Sequence, residues 1–410
     1  MRTRPYLATF LATVILASTA WAGESVVYSF TGGADGGDPA SQLILDSSGN
    51  AYGTTVTGGQ NGCGTVFELM PLSGGQWQES VLYSFGCFDD GKNPYGGVTF
   101  DKTGTSLYGT TAAGGTGGIC TGDGCGVVYK LTRSGNRWTQ TVLYNFTGGD
   151  DGSGPGGGVV FDSAGNLYGT TPDGGANSLG VVYQLSAGNG GQWMQKVIHA
   201  FTGGNDGAVG PLGLLLLDKS GNLYGVAELG GANGAGTVYK LSPAGGGNWN
   251  FTTLYAFKGQ PDAGFPYGGL IADRSGALYG TTYYGGVNGA GAVFEVRPAP
   301  TPTGWNEFVL YSFKGGTDGS NPTSTLLFDA GYNLYGTTTS GGNPSCDCGT
   351  VFKLRPTGVL GWSESLLHSF GAGDGQSPYY GLTPDGKGDL LGTTAAGGAH
   401  SAGTIFEITP

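Results

Sequence analysis

Basic side chains and histidines are scarce in this sequence: 17 lysines and arginines stand against 29 acidic residues, and only three of the 410 residues are histidine. A net charge of −12 repels phosphate backbones and anionic headgroups, which argues against nucleic acid and membrane surfaces as partners. Long apolar runs are lacking too. Tyr6 to Ala20 is short for a bilayer span of about 20 residues and nothing later is longer, so no membrane span is expected. His-rich sets, paired-cysteine zinc spacings and phosphate-binding glycine loops do not occur, so neither a metal nor a cofactor is expected. Good helix formers are displaced by 87 glycines, each costing about 1 kcal/mol inside a helix, which excludes a helical protein. The glycines follow no Gly-X-Y period, which excludes collagen, and a 12% aromatic content excludes a lean disordered chain.

What is present begins with an export signal. Arg2 and Arg4 precede the apolar run, and Ala20-Trp21-Ala22 places small residues where a signal peptidase reads them. Residues 1–22 read as a signal peptide cut before Gly23, giving an exported protein, extracellular or periplasmic. Gly23 instead of cysteine indicates no lipoprotein anchor. Six cysteines in such a chain favour disulfides.

The remainder, residues 23–410, is one unit repeated seven times. Leu-Tyr-Gly-Thr-Thr recurs with its glycine at Gly53, Gly109, Gly169, Gly225, Gly280, Gly336 and Gly392. Leu-Tyr-Ser-Phe variants end at Phe30, Phe85, Phe146, Phe201, Phe257, Phe313 and Phe370; Gly-Thr-Val-Phe-Lys-Leu variants begin at Gly64, Gly126, Gly180, Gly236, Gly291, Gly349 and Gly403. Each unit holds four short strand-like runs, a to d; in unit four they are Leu214 to Asp218, Asn222 to Ala227, Gly236 to Leu241 and Trp249 to Phe257. Six tryptophans, Trp77 to Trp362, open d strands as packing residues. Four strands in about 55 residues describe a β-propeller blade, and the expected fold is all-β, a single seven-bladed propeller. A lone d strand at Val26 to Phe30 and a lone c strand at Gly403 to Ile408 predict closure by pairing of the first strand with the last blade.

Leu-Tyr-Gly-Thr-Thr, then Gly-Gly, then Gly-Thr-Val-Phe, then Leu-Tyr-Ser-Phe, in tandem behind a signal peptide, resembles the GloVer tandem-repeat family of exported bacterial proteins. Members carry various C-terminal anchors, whereas this sequence ends at Pro410 with none expected. The resemblance implies export and a repeat fold and carries no activity with it.

Candidate functional residues are those that break the repeat. Two aspartate sets are part of it: Asp46, Asp101, Asp162, Asp218, Asp273, Asp329 and Asp385 in the a-to-b hairpins, and Asp35, Asp90, Asp151, Asp206, Asp262, Asp318 and Asp374 ahead of strand a. The second set reads as turn chemistry in preference to a calcium ring, since it lacks alternating oxygen-ligand spacing. His199 and His368 replace the d-strand tyrosine and read as half-buried strand residues; His400 stands alone in a loop. The d-to-a and b-to-c loops are expected on one face. There Asp173 and Glu228, at b-strand ends of blades three and four, are candidate acid and base for a secreted glycoside hydrolase or lyase, with His400 the remaining catalytic candidate. Tyr95, Tyr267, Tyr283, Tyr284, Tyr379 and Tyr380 cluster in the same loops and suit stacking on sugar rings or a protein partner. The favoured reading is a non-catalytic, monomeric binding or scaffold propeller recognising carbohydrate or a cell-surface partner. Lengthened b-to-c loops in blades two and six hold Cys120 with Cys125 and Cys346 with Cys348, so local bridges are expected, and Cys63 pairs with Cys87 by elimination.

Overall fold

In every unit the alternating apolar and polar runs form four antiparallel strands in the order a-b-c-d from the axis outward, joined in blades one and five by a short extra strand beside strand b, Gly37–Pro39 and Ala263–Pro266. In blade four these are Leu216–Leu217, Leu223–Ala227, Thr237–Pro243 and Trp249–Ala256. Strand a is shorter than the sequence suggests, because at the axis the chain leaves its own sheet almost at once to meet the neighbouring blade. The computed structural model describes residues 23–120, 122–135, 137–208, 213–299, 304–358 and 361–410, so the expected signal peptide, 1–22, lies outside the described residues. Seven such sheets surround one axis. Gly23–Ser29 pairs antiparallel with Thr404–Thr409, Glu24 opposite Ile408 and Ser29 opposite Thr404, and so supplies the outer strand of blade seven.

The core is seven layers, one between each pair of adjacent blades. Its unit is a three-residue wedge. The b-strand glycine lies opposite the c-strand aromatic, as Gly53 does Phe67 and Gly225 does Tyr239. A methyl group on Gly225 would sit 2.4 Å from the Tyr239 hydroxyl, and one on Gly392 would sit 2.3 Å from the Phe406 ring. Only glycine leaves room for the ring. The aromatic then meets the d-strand phenylalanine of the preceding blade edge-to-face, for example Phe30 with Phe67 at 5.2 Å and Phe370 with Phe406 at 4.9 Å. The contact recurs at all seven seams and adds roughly 0.5–1.5 kcal/mol beyond area burial each time. The six d-strand tryptophans pack at the rims of these layers, as expected.

At the periphery a second device fastens each seam. The d-strand tyrosine donates to the aspartate ahead of the next strand a: Tyr28 to Asp35, Tyr83 to Asp90, Tyr144 to Asp151, Tyr255 to Asp262 and Tyr311 to Asp318. His199 and His368 keep the bond, to Asp206 at 3.1 Å and Asp374 at 3.0 Å. The same carboxylates accept the backbone N–H that follows each phenylalanine. This aspartate set is therefore clasp and turn chemistry. The hairpin set likewise closes turns, Asp218 accepting the N–H groups of Ser220 and Asn222. A β-bulge in each d strand, one residue before the tyrosine or histidine, points the ring at its aspartate.

In four blades a d-strand glutamate faces that clasp. Glu24, Glu79 and Glu364 are pushed up to about 7 and Glu307 to about 9, first by burial and then by Asp374, Asp35, Asp318 and Asp262 respectively. Blades two and three carry Gln140 and Gln195 there, each donating to an aspartate backbone carbonyl. A carboxyl group whose folded pKa exceeds its unfolded value costs stability progressively from the unfolded pKa, near 4.3, up to the folded one. The melting temperature should therefore fall from pH 5 to pH 9, and Glu307→Gln should shrink that fall; an unaltered pH profile in the variant contradicts the assignment.

Tyr129, Tyr183 and Tyr239 occupy the wedge position with buried hydroxyls that have no hydrogen-bond partner, where the other blades use phenylalanine. Tyr183→Phe should raise unfolding stability by about 1 kcal/mol, read by denaturant titration, because it removes a stranded polar group without leaving a cavity.

Candidate ligand site at the channel mouth

Bringing seven blades to one axis forces backbone against backbone. A methyl group on Gly96 would lie 2.5 Å from the Gly157 carbonyl carbon, and one on Gly213 would lie 2.5 Å from the Gly269 nitrogen. Threonines of the b strands latch the same ring, Thr110 donating to the Gly157 carbonyl at 2.7 Å and Thr393 to that of Ser41 at 3.0 Å. Inside it lies a cavity of about 400 Å³, walled by Leu43, Leu45, Val98 and Leu214 with Thr323, Thr325 and Thr383 as its polar points. That volume falls within the range of small-molecule pockets.

The d-to-a and b-to-c loops share a face, as expected, because they pair with each other: Gly37 opposite Thr57, Lys92 opposite Ala113, Ser153 opposite Asp173, Gln376 opposite Ala396. Tyr267, Tyr379 and Tyr380 line the cavity from that face. Tyr267 is pushed up to about 12 by burial, then by Glu228, Tyr379, Tyr283 and Tyr95. Tyr380 is held well above the ordinary tyrosine value by burial, then by Tyr267, Asp38, Tyr95 and Tyr379. These residues come from blades two, five and seven, no two of which are adjacent. They meet only over the axis, so five of the six candidate tyrosines form one collar at the channel mouth. Tyr267 and Tyr283 have ring centroids 6.3 Å apart. Tyr284 is half exposed and packs outward, edge-on to Phe265 at 5.7 Å and to Tyr283 at 4.6 Å.

Glu228 is half-buried beside Tyr267 and Tyr283, and burial raises its pKa. Asp173 and His400 are exposed, and the groups that act electrostatically on Glu228's surroundings are tyrosines and not Asp173. The three disulfides pair as expected: Cys63 with Cys87, Cys120 with Cys125 and Cys346 with Cys348, their Cα atoms 5.3, 5.4 and 5.2 Å apart. All three brace loops of this face and suit an oxidising compartment. Two groups of ligand-type side chains, Glu24-His368-Asp374 and Asp385-Asp389-Glu407, gather elsewhere; the first is a seam clasp and the second a hairpin turn.

One residue escaped the sequence reading. Asp38 sits beside Tyr95 and Tyr380 and is pushed up to about 6 by burial alone. It precedes the loop proline, a position held at positive φ in the described blades: Asp38 54°, Asn93 57°, Gly154 68°, Phe265 60°, Asn321 56°, Ser377 55°. Asn93 and Asn321 there donate to the carbonyls of Val56 and Tyr283 in the preceding blade, each at 3.0 Å. An ionised aspartate cannot. Aligning the residues before the loop prolines would have exposed it as the sole carboxylate in that column.

Fold and site together define a closed seven-bladed propeller with a pocket at the mouth of its channel. The chain belongs to the Gloeobacter/Verrucomicrobia repeat family, whose repeat matches residues 121–305 and 215–410. Among solved structures it is similar to a protein from Lactobacillus plantarum at 11% identity and TM-score 0.54, covering 84% of this chain and 88% of that one. A protein of unknown function from Dyadobacter fermentans aligns at 12% identity and TM-score 0.42 over 94% and 98% of the chains. A putative oxidoreductase (glucose dehydrogenase) from Thermus thermophilus aligns at 17% and 0.42 over 79% and 95%. The likeness concerns fold alone. No curated protein matches the chain.

Asparagine in place of Asp38 restores the donor that the column provides elsewhere. Asp38→Asn should raise the melting temperature at pH 7 to 8, where the aspartate is ionised, with little gain at pH 4, where its protonated form can donate. Equal gains at both pH values would place the cause elsewhere.

Proposed function

We propose that this protein is an exported, non-catalytic binding propeller that takes its ligand on the d-to-a and b-to-c face, at the mouth of the central channel, with carbohydrate or a cell-surface partner as the ligand class. The observation that carries this reading is the meeting of tyrosines from three non-adjacent blades over an apolar pocket. Flat rings with polar tips suit sugar faces, and their place over a walled cavity gives a ligand both a platform and depth. The disulfides on the same face agree with an exported, oxidised protein held in a single ring, which acts as a monomer. Asp173 and His400, the candidate catalytic partners, are exposed, which favours binding over hydrolysis.

The test is a glycan and cell-surface binding screen, with product analysis on every hit. Binding should be lost at least tenfold in a folded Tyr267→Ala/Tyr283→Ala variant and retained in Tyr284→Ala. A ligand that is turned over, or whose affinity ignores the collar, would refute the reading.

A further inference from the structure

The proposed function leaves the chemistry of the ligand open, and the collar itself narrows it. Asp38 stands on one side, against Tyr95 and Tyr380; Glu228 stands on the other, against Tyr267 and Tyr283; Tyr379 bridges the two groups. Among the described residues neither carboxylate makes a side-chain hydrogen bond or an ion pair. Every repeated carboxylate ahead of a strand a is clasped by tyrosine or histidine and by backbone. The ion pairs of the described residues, such as Lys92 with Asp123, include neither of them. At Asp38 the repeat elsewhere offers a neutral asparagine that bonds the preceding blade. The carboxylate forgoes that bond and sits where burial penalises its charge.

Two partly desolvated carboxylates without counter-charges, set into five tyrosine rings, present negative charge and ring quadrupoles to one small volume. A neutral ligand would leave both carboxylates uncompensated, and an anion would be repelled. A hard divalent cation needs six to eight oxygens in close array, whereas these carboxylates flank an aromatic cluster from opposite sides. A weakly hydrated organic cation gains from both features.

We propose that the channel mouth binds an organic ammonium group, seated among the tyrosine rings with Asp38 and Glu228 as counter-charges and with the apolar body of the ligand directed into the channel. The proposal rests on the channel-mouth reading above and names what that site selects. The ammonium belongs either to a quaternary alkylamine or to an amino sugar with a free amine.

Calorimetric titration of the intact protein with two pairs, each a cation and a neutral counterpart, separates the possibilities. One pair is choline and its neutral carbon analogue 3,3-dimethylbutan-1-ol. The other is the glucosamine trisaccharide and its N-acetylated form. The cationic member of at least one pair should bind at least tenfold more tightly, and the pair showing the preference identifies the source. In an Asp38→Asn/Glu228→Gln variant that still melts cooperatively at or above the parent's temperature, that preference should collapse to near unity while the neutral member is unaffected. Equal binding within both pairs, preference retained in the double variant, or no heat from either cation at about 10 mM would overturn the proposal. If a neutral ligand then binds through Tyr267 and Tyr283, the cation falls and the site stands; if nothing depends on those tyrosines, both fall.

Discussion

The contact on which the structure depends is the glycine of each b strand against the aromatic ring of the neighbouring c strand. A side chain at Gly53 or Gly336 would occupy the ring's own space, 2.7 and 2.6 Å from its nearest atom. With the glycine in place the ring lies flat on its own sheet and turns its edge to the phenylalanine of the blade before it. Seven equal wedges give seven equal seams, and equal seams close a ring. The high glycine content, which at first suggests flexibility, thus includes positions where close approach and not conformational freedom is required. Elsewhere positive φ is the reason: Gly403, at φ 92°, packs under Pro39 of the next blade, just as Gly64 packs under Pro94.

A consequence is that most of the negative charge is already spoken for. The hairpin aspartates close turns, and the aspartates ahead of strand a hold tyrosine, histidine and backbone donors across the seams. The d-strand glutamates face those clasps as raised, protonatable carboxyls. An acidic sequence therefore need not mean an acidic ligand surface. The carboxylates that stand outside this scheme at the axis, Asp38 and Glu228, carry information because they break the repeat.

The architecture was legible because it was repeated. Motif spacing predicted seven blades, the strand order within them and the pairing of Val26 to Phe30 with the last c strand; loop lengths predicted two of the disulfides and elimination the third. The d-strand bulge was not legible: it breaks the two-residue alternation at Val27, Leu82 or Leu143 in a way that leaves no compositional mark. Nor could sequence show that strand a shrinks to Leu216–Leu217, since that follows from crowding at the axis. Subtracting the repeat did find the collar tyrosines, but not their meeting, because Tyr95 and Tyr379 are nearly 300 residues apart and come together only through ring closure. Asp38 was missed for the opposite reason: it lies three residues from the repeated Asp35, and only the repeated aspartate of that loop was singled out.

A sevenfold ring and a selective site make opposite demands. Symmetry gives every loop the same carbonyls, glycines and threonines, and a ligand touching only these meets seven equivalent places and is oriented by none. Selectivity must come from the columns where one blade differs. Here the differences are concentrated at the axis, where loops from blades one, two, four, five and seven converge within reach of one another. Backbone-tight glycines, threonine latches and loop disulfides hold those loops. A site so braced loses little entropy on binding, which lets a few tyrosines and two carboxylates supply affinity that a mobile loop surface would forfeit to ordering. The repeat is thus what makes its exceptions effective: the wedge contact that fixes all seven seams is also what carries side chains from distant blades to a common point.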